Sequence, residues 1–197
     1  MSKSELAPAI VRNREGVLRS FVEAHASLSI LQGIQDAARR GLSDTHLRCA
    51  NEIYRAAFSA LVTAVGKILD RGNDVHSLPK LCRRLRVLWA EDVELLAIVD
   101  RVGVFLEDES NVKMLRKWRN KVFAHRTAKA TDPRFYIDYE ITIDAIEKTL
   151  GALHDLLNEL SVNVDGEIHC SPGHAVPGLS RDVCRLFESS VGSCILR

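Results

Sequence analysis

The sequence predicts an all-α fold, an antiparallel bundle of helices. Apolar residues recur at steps of three and four along several long stretches. Only five prolines and eleven glycines interrupt 197 residues, whereas strand-rich folds need more turn punctuation. The 46% hydrophobic and 27% charged content is that of an ordinary globular domain, neither disordered nor fibrous.

Val17, Phe21, Ala24, Leu28, Leu31 and Ile34 share one helical face, which predicts a first helix over about residues 9–39, ending at Gly41. Ser43 or Asp44 caps a second, whose stripe is Leu47, Ala50, Tyr54, Ala57, Leu61, Val65 and Ile68 and which stops before Gly72. Ser77-Leu78-Pro79 starts a third: a hydroxyl cap, then proline in the first turn, where its missing N–H costs nothing. Leu78, Leu81, Leu85 and Leu88 form its apolar face, and Lys80, Arg83, Arg84 and Arg86 cover the others, a pattern that suits a solvated surface better than a nucleic-acid groove.

An acidic helix follows over about 92–106, then a basic one over about 110–126. Residues 127–139 read as a loop with a short extended piece at Phe135 to Ile137. Behind a Thr142 cap, Ile143, Ile146, Leu150, Leu153, Leu157 and Leu160 line a helix over 142–161. After Val162 the Pro-Gly pairs at 172–173 and 177–178 change the character of the chain. The expected organisation is thus a bundle over 1–162 and an appendage over 163–197, mostly irregular, with one short helix from Ser180 to Ser189.

The 27 basic and 26 acidic residues nearly cancel, so distribution carries the information. Between Asn111 and Thr131 lie seven lysines and arginines and no carboxylate, whereas residues 91–109 hold seven acids and one arginine. Five scattered cysteines point to reduced thiols, and no apolar run is long enough to span a bilayer, so a cytoplasmic location is expected. His169, Cys170, His174 and Cys184 fit none of the usual paired zinc-ligand spacings, and no phosphate loop or nucleophile elbow is present. Neither metal nor cofactor is therefore expected.

The anomaly lies on the basic helix. At roughly 100° per residue, Trp118 and Val122 fall beside Leu115 and define its buried sector, and Arg119 lies about 40° from Leu115, inside that sector. A guanidinium there must be paired, reach out along a crevice, or face another chain. His125, about 9 Å further along the axis, can border the same cleft, and Asn120 adds an amide able to hold a phosphate oxygen or orient the imidazole.

The string from Lys117 to His125, Lys-Trp-Arg-Asn-Lys-Val-Phe-Ala-His, resembles the R-x(4–6)-H signature of HEPN domains, in which a polar residue often follows the arginine. It looks most like the abortive-infection AbiU-type branch, as does the stretch from Ala57 to Leu85 with its helix, loop and Ser-Leu-Pro restart. The resemblance implies an antiparallel bundle that commonly dimerises and, in active members, cleaves RNA without a metal. It further implies a role in phage defence or a toxin-like setting, where an antitoxin protein is a possible partner. Site residues carry over only at Arg119, Asn120 and His125.

The residue chemistry suits that expectation. A histidine near neutral pKa can deprotonate the 2′-hydroxyl of RNA for attack on the adjacent phosphate, and an arginine fork can neutralise charge growing on the phosphorane. The products would be a 2′,3′-cyclic phosphate and a free 5′-hydroxyl. Lys117, Lys121 and Arg126 would hold flanking phosphates. Simpler roles stay open at each position: Arg119 as an ion pair with the acidic helix, His125 as a cation at a helix C-terminus, Trp118 as a packing residue. So do a catalytically silent dimer that binds RNA or protein and a purely architectural scaffold.

Overall fold

The structure is a computed structural model that describes residues 8–72, 76–120, 141–166, 168 and 178–192. Among these, seven helices and no strand are found: α1 (Pro8–Arg40), α2 (Asp44–Ile68), α3 (Leu78–Leu88), α4 (Val93–Asp108), α5 (Ser110–Trp118), α6 (Ile143–Asp165) and α7 (Leu179–Gly192). The fold is all-α.

The starts are chemically marked. The side chains of Ser43, Ser77, Asp92 and Thr142 each accept a hydrogen bond from the backbone N–H three residues on, satisfying a donor that the first helical turn leaves unpaired. Pro79 sits in the first turn of α3, where it was expected. α6 runs to Asp165, past the anticipated Ser161, because Ser161 and Val164 still face the interior.

Helix α1 is the spine, packing against α2, α3, α6 and α7, while α4 and α5 close the bundle against α3, α6 and α2. The main core joins Phe21, Leu31, Leu61, Ile68, Leu85, Leu95, Leu115, Ile146 and Leu150, each at most 1% exposed. Leu47 departs from the expected stripe of α2, at 44% exposure. It precedes Ala50, the first residue of that stripe to join the buried cluster with α1 and α7.

The helix expected over Ser180 to Ser189 is present as α7 and is docked on the bundle. Cys184 and Phe187 form a buried cluster with Ile34, Ala37 and Ala50. The approach is close at Gly33, where a Cβ would stand 2.4 Å from the carbonyl oxygen of Ser180. Only glycine lets these two helices meet so tightly. The far end of α1 is held as well: Arg14 pairs with Asp165 of α6, and Asn13 donates to the carbonyl of Ser77, 3.0 Å away.

Beyond Asn120 the expected course of the basic helix, and the extended piece at Phe135 to Ile137, lie outside the described residues.

Candidate active site at the end of helix α5

Helix α5 starts at Glu109, whose carboxylate accepts from the N–H of Asn111, and buries Val112, Leu115 and Trp118. Trp118 is a packing residue: it is 7% exposed and meets Phe58 of α2 edge to face, ring centroids 5.3 Å apart. That contact anchors the C-terminal end of α5 to α2. Immediately after Trp118 the backbone widens into a π-type turn at Arg119 and Asn120, a departure from regular helix that is frequent at functional positions.

The turn delivers Arg119 onto α2. Its aliphatic stem lies against Gly66, where a Cβ would come within 2.5 Å of Arg119 Cδ. One helical turn further along, Nη2 donates to Asp70 Oδ2 at 2.5 Å. The Arg119 side chain is 36% exposed and that of Asp70 15%, so the stem is covered while the charged end sits at the mouth of a crevice. The partner is therefore not the acidic helix. The carboxylates there serve other arginines, Glu107 pairing with Arg71 and Asp100 with Arg86. The reason is geometric: a stem lying along α2 at Gly66 carries its fork to the residue four positions on.

Asp70 has a second duty. Its Oδ1 accepts from the N–H of Gly72 at 2.7 Å, holding the turn that leaves α2. A carboxylate at a helix C-terminus is disfavoured by the helix dipole, and the guanidinium of Arg119 offsets that penalty.

Around this pair lies a cavity of about 400 Å³, lined by Gly66, Leu69, Asp70, Arg71, Arg116, Arg119 and Asn120. Arg116 enters it from the preceding turn of α5. It donates from Nη1 to the carbonyl of Leu106 at 2.8 Å, while Nε and Nη2 are buried and have no hydrogen-bond partner among the described residues. Burial lowers its pKa, the neighbouring Arg71 lowers it further, and Glu107 partly offsets both. Glu107 in turn is held below the usual carboxylate range, first by the hydrogen bond from Arg71.

Of the residues expected to form the site, the structure brings Arg119 and Asn120 to one cavity and leaves Lys117 exposed on α5. His125, Lys121 and Arg126 lie outside the described residues, as do His169, Cys170 and His174. Among the described residues, no cluster of three or more His, Cys, Asp or Glu side chains could hold a metal ion, and no helix is long and apolar enough to cross a membrane.

Sequence reasoning missed Gly66, Asp70 and Arg71 as site residues, although all three fall inside the stretch from Ala57 to Leu85 that carries part of the resemblance. The arginine excess after residue 110 signalled Arg116 only as general basic character.

No curated protein and no solved structure is significantly similar to the chain. A family model does match. Its description is AbiU2, it is of the HEPN type, and it covers residues 18–188, from α1 through most of α7, so that the chain belongs to the AbiU2 family of HEPN domains.

Proposed function

We propose that the protein is a metal-independent endoribonuclease of the HEPN type, with His125 as the base that activates a 2′-hydroxyl and Arg119 as the cation that stabilises the phosphorane. Asn120 would hold a phosphate oxygen or orient the imidazole. The observation that carries this reading is the convergence of Arg119 and Asn120 on a single arginine-lined cavity at the end of α5. Family membership supports it. Lys117, Lys121 and Arg126 would bind flanking phosphates, and binding would weaken steeply with salt. A homodimer joining two such sites, an antitoxin partner, a cytoplasmic location and a role in phage defence belong to the same proposal.

The reaction requires Arg119 to meet a phosphate, and Asp70 already occupies part of its fork. Substrate must share that fork or displace the carboxylate. The same ion pair favours a second reading, in which Arg119 is architectural and the bundle is a catalytically silent module for RNA or protein.

RNA cleavage in EDTA decides between them. Folded Arg119→Ala and His125→Ala variants that bind RNA but no longer cut it, beside a wild type that leaves 2′,3′-cyclic phosphate ends, are the expected result. A wild type that binds RNA and cuts none establishes the silent module.

A further inference from the structure

The three arginines of the cavity are not equally provided for. Arg119 faces Asp70, and Arg71 faces Glu107. Arg116 lies between these pairs with a backbone carbonyl as its one hydrogen-bond acceptor among the described residues, and two of its nitrogens are shut away from water. Among the described residues the lining of the cavity thus carries three arginines and one carboxylate, Asp70, while Glu107 pairs with Arg71 beside it, so the pocket is net positive.

Buried N–H groups without acceptors are costly, and on a guanidinium the natural remedy is an oxyanion taken by its planar fork. A net positive lining suits a phosphate oxyanion, and a phosphodiester is the form in which a nucleic-acid backbone carries one. The volume, about 400 Å³, is at the small end for ligand pockets and suits a phosphate with part of its nucleoside.

We propose that Arg116, with Arg71, forms a subsite for a backbone phosphodiester next to the phosphate engaged by Arg119, and that Asp70 is the internal counter-charge that limits how strongly the pocket holds a phosphate. As a subsite for RNA this rests on the ribonuclease reading. As a phosphodiester pocket it does not. Arg116 is a binding residue here, since it meets the neighbouring phosphate and not the reacting atoms.

The test uses a 2′-O-methyl trinucleotide, which cannot be cleaved, titrated calorimetrically into the full chain at low salt. The wild type should bind saturably. Arg116→Gln should weaken binding by about tenfold or more, the loss expected for hydrogen bonds to a charged group. If that variant fails to fold, Arg116→Lys, which keeps the charge but not the fork, should still weaken it. Asp70→Asn should raise affinity for inorganic phosphate, because the cavity then loses the one carboxylate in its described lining.

Absent trinucleotide binding in the wild type, or affinity indifferent to Arg116, overturns the subsite. Phosphate affinity unchanged in Asp70→Asn overturns the role given to Asp70. A deoxyribose trinucleotide bound more tightly than the 2′-O-methyl one overturns the assignment to RNA. The two proposals fail separately. Trinucleotide binding that depends on Arg116 in a protein that cuts no RNA leaves the pocket standing without the nuclease. Cleavage whose KM survives Arg116→Gln leaves the nuclease without the pocket.

Discussion

Gly66 of α2 and Arg119 beyond α5 lie in such close contact that a Cβ on the glycine would stand 2.5 Å from Cδ of the arginine. The missing side chain on one helix is what lets a charged side chain from another lie flat along it and present its fork at the cavity.

Replacing Gly66 therefore separates function from stability. Gly66→Ala gains about 1 kcal/mol of helix propensity, which roughly offsets the displacement of a partly exposed side chain. The urea midpoint should move little, while RNA cleavage should fall to the level of Arg119→Ala. Gly66→Leu overfills the contact and should cost about 1–3 kcal/mol in urea unfolding. Cleavage by Gly66→Ala at the wild-type rate would show that the Arg119 position does not matter.

The Arg119–Asp70 pair should contribute modestly to folding. With the Arg119 side chain 36% exposed, solvent screening limits the loss on Asp70→Asn to about 1 kcal/mol. Unfolding at 0.05 M and 1 M NaCl gives the check: the gap between wild type and variant should shrink at high salt. A gap that stays above 3 kcal/mol at both would mean a buried pair.

Acid should destabilise the protein through His25. Its pKa is lowered, first by burial and then by His154, and its Nε2 is buried with no hydrogen-bond partner among the described residues. The unfolded chain takes up a proton near pH 6.5 and the folded chain resists it, so stability is complete above that pH and is lost as pH falls towards the folded value. One such group gives a slope of at most about 1.4 kcal/mol per pH unit. Urea unfolding between pH 7.5 and 5 should show the decline, and His25→Gln should flatten it.

The thiols of α2 and α3 should differ sharply in reactivity. Cys82 is 7% exposed, and burial pushes its pKa up to about 12, with Arg86 opposing weakly. Cys49 is exposed. Iodoacetamide at pH 8 should modify the peptide containing Cys49 within minutes and leave that containing Cys82 intact until denaturant is added. Equal labelling in the native protein would mean that α3 opens readily from the bundle.

Helix positions were largely legible because the signals are local. Ser77-Leu78-Pro79 starts a helix whatever lies across from it, and the apolar line from Ile143 to Leu160 settles which face of α6 is buried. Arg119 was legible as an anomaly for the same reason, since a wheel needs only a few neighbouring residues. The fate of its charge was not. Asp70 is 49 positions away, and the acidic helix, richer in carboxylates and adjacent in the chain, was the obvious alternative. Leu47 fitted its stripe and is nevertheless exposed, because periodicity defines a face and cannot say how far along the helix the neighbours extend.

By itself the sequence determined the all-α architecture, most helix boundaries, the core stripes and the charge asymmetry around residue 110. The helices and their stripes depend on spacings of three or four residues, within reach of backbone hydrogen bonding, and the asymmetry is a matter of which residues follow one another in the chain. Tertiary structure alone decided that Arg119 lies on Gly66 and faces Asp70, that Arg71 and Arg116 border the same cavity, and that α7 docks at Gly33. These follow from how α2 meets α5 and α1 meets α7, and the packing of whole helices depends on every residue along both, not on a motif in either.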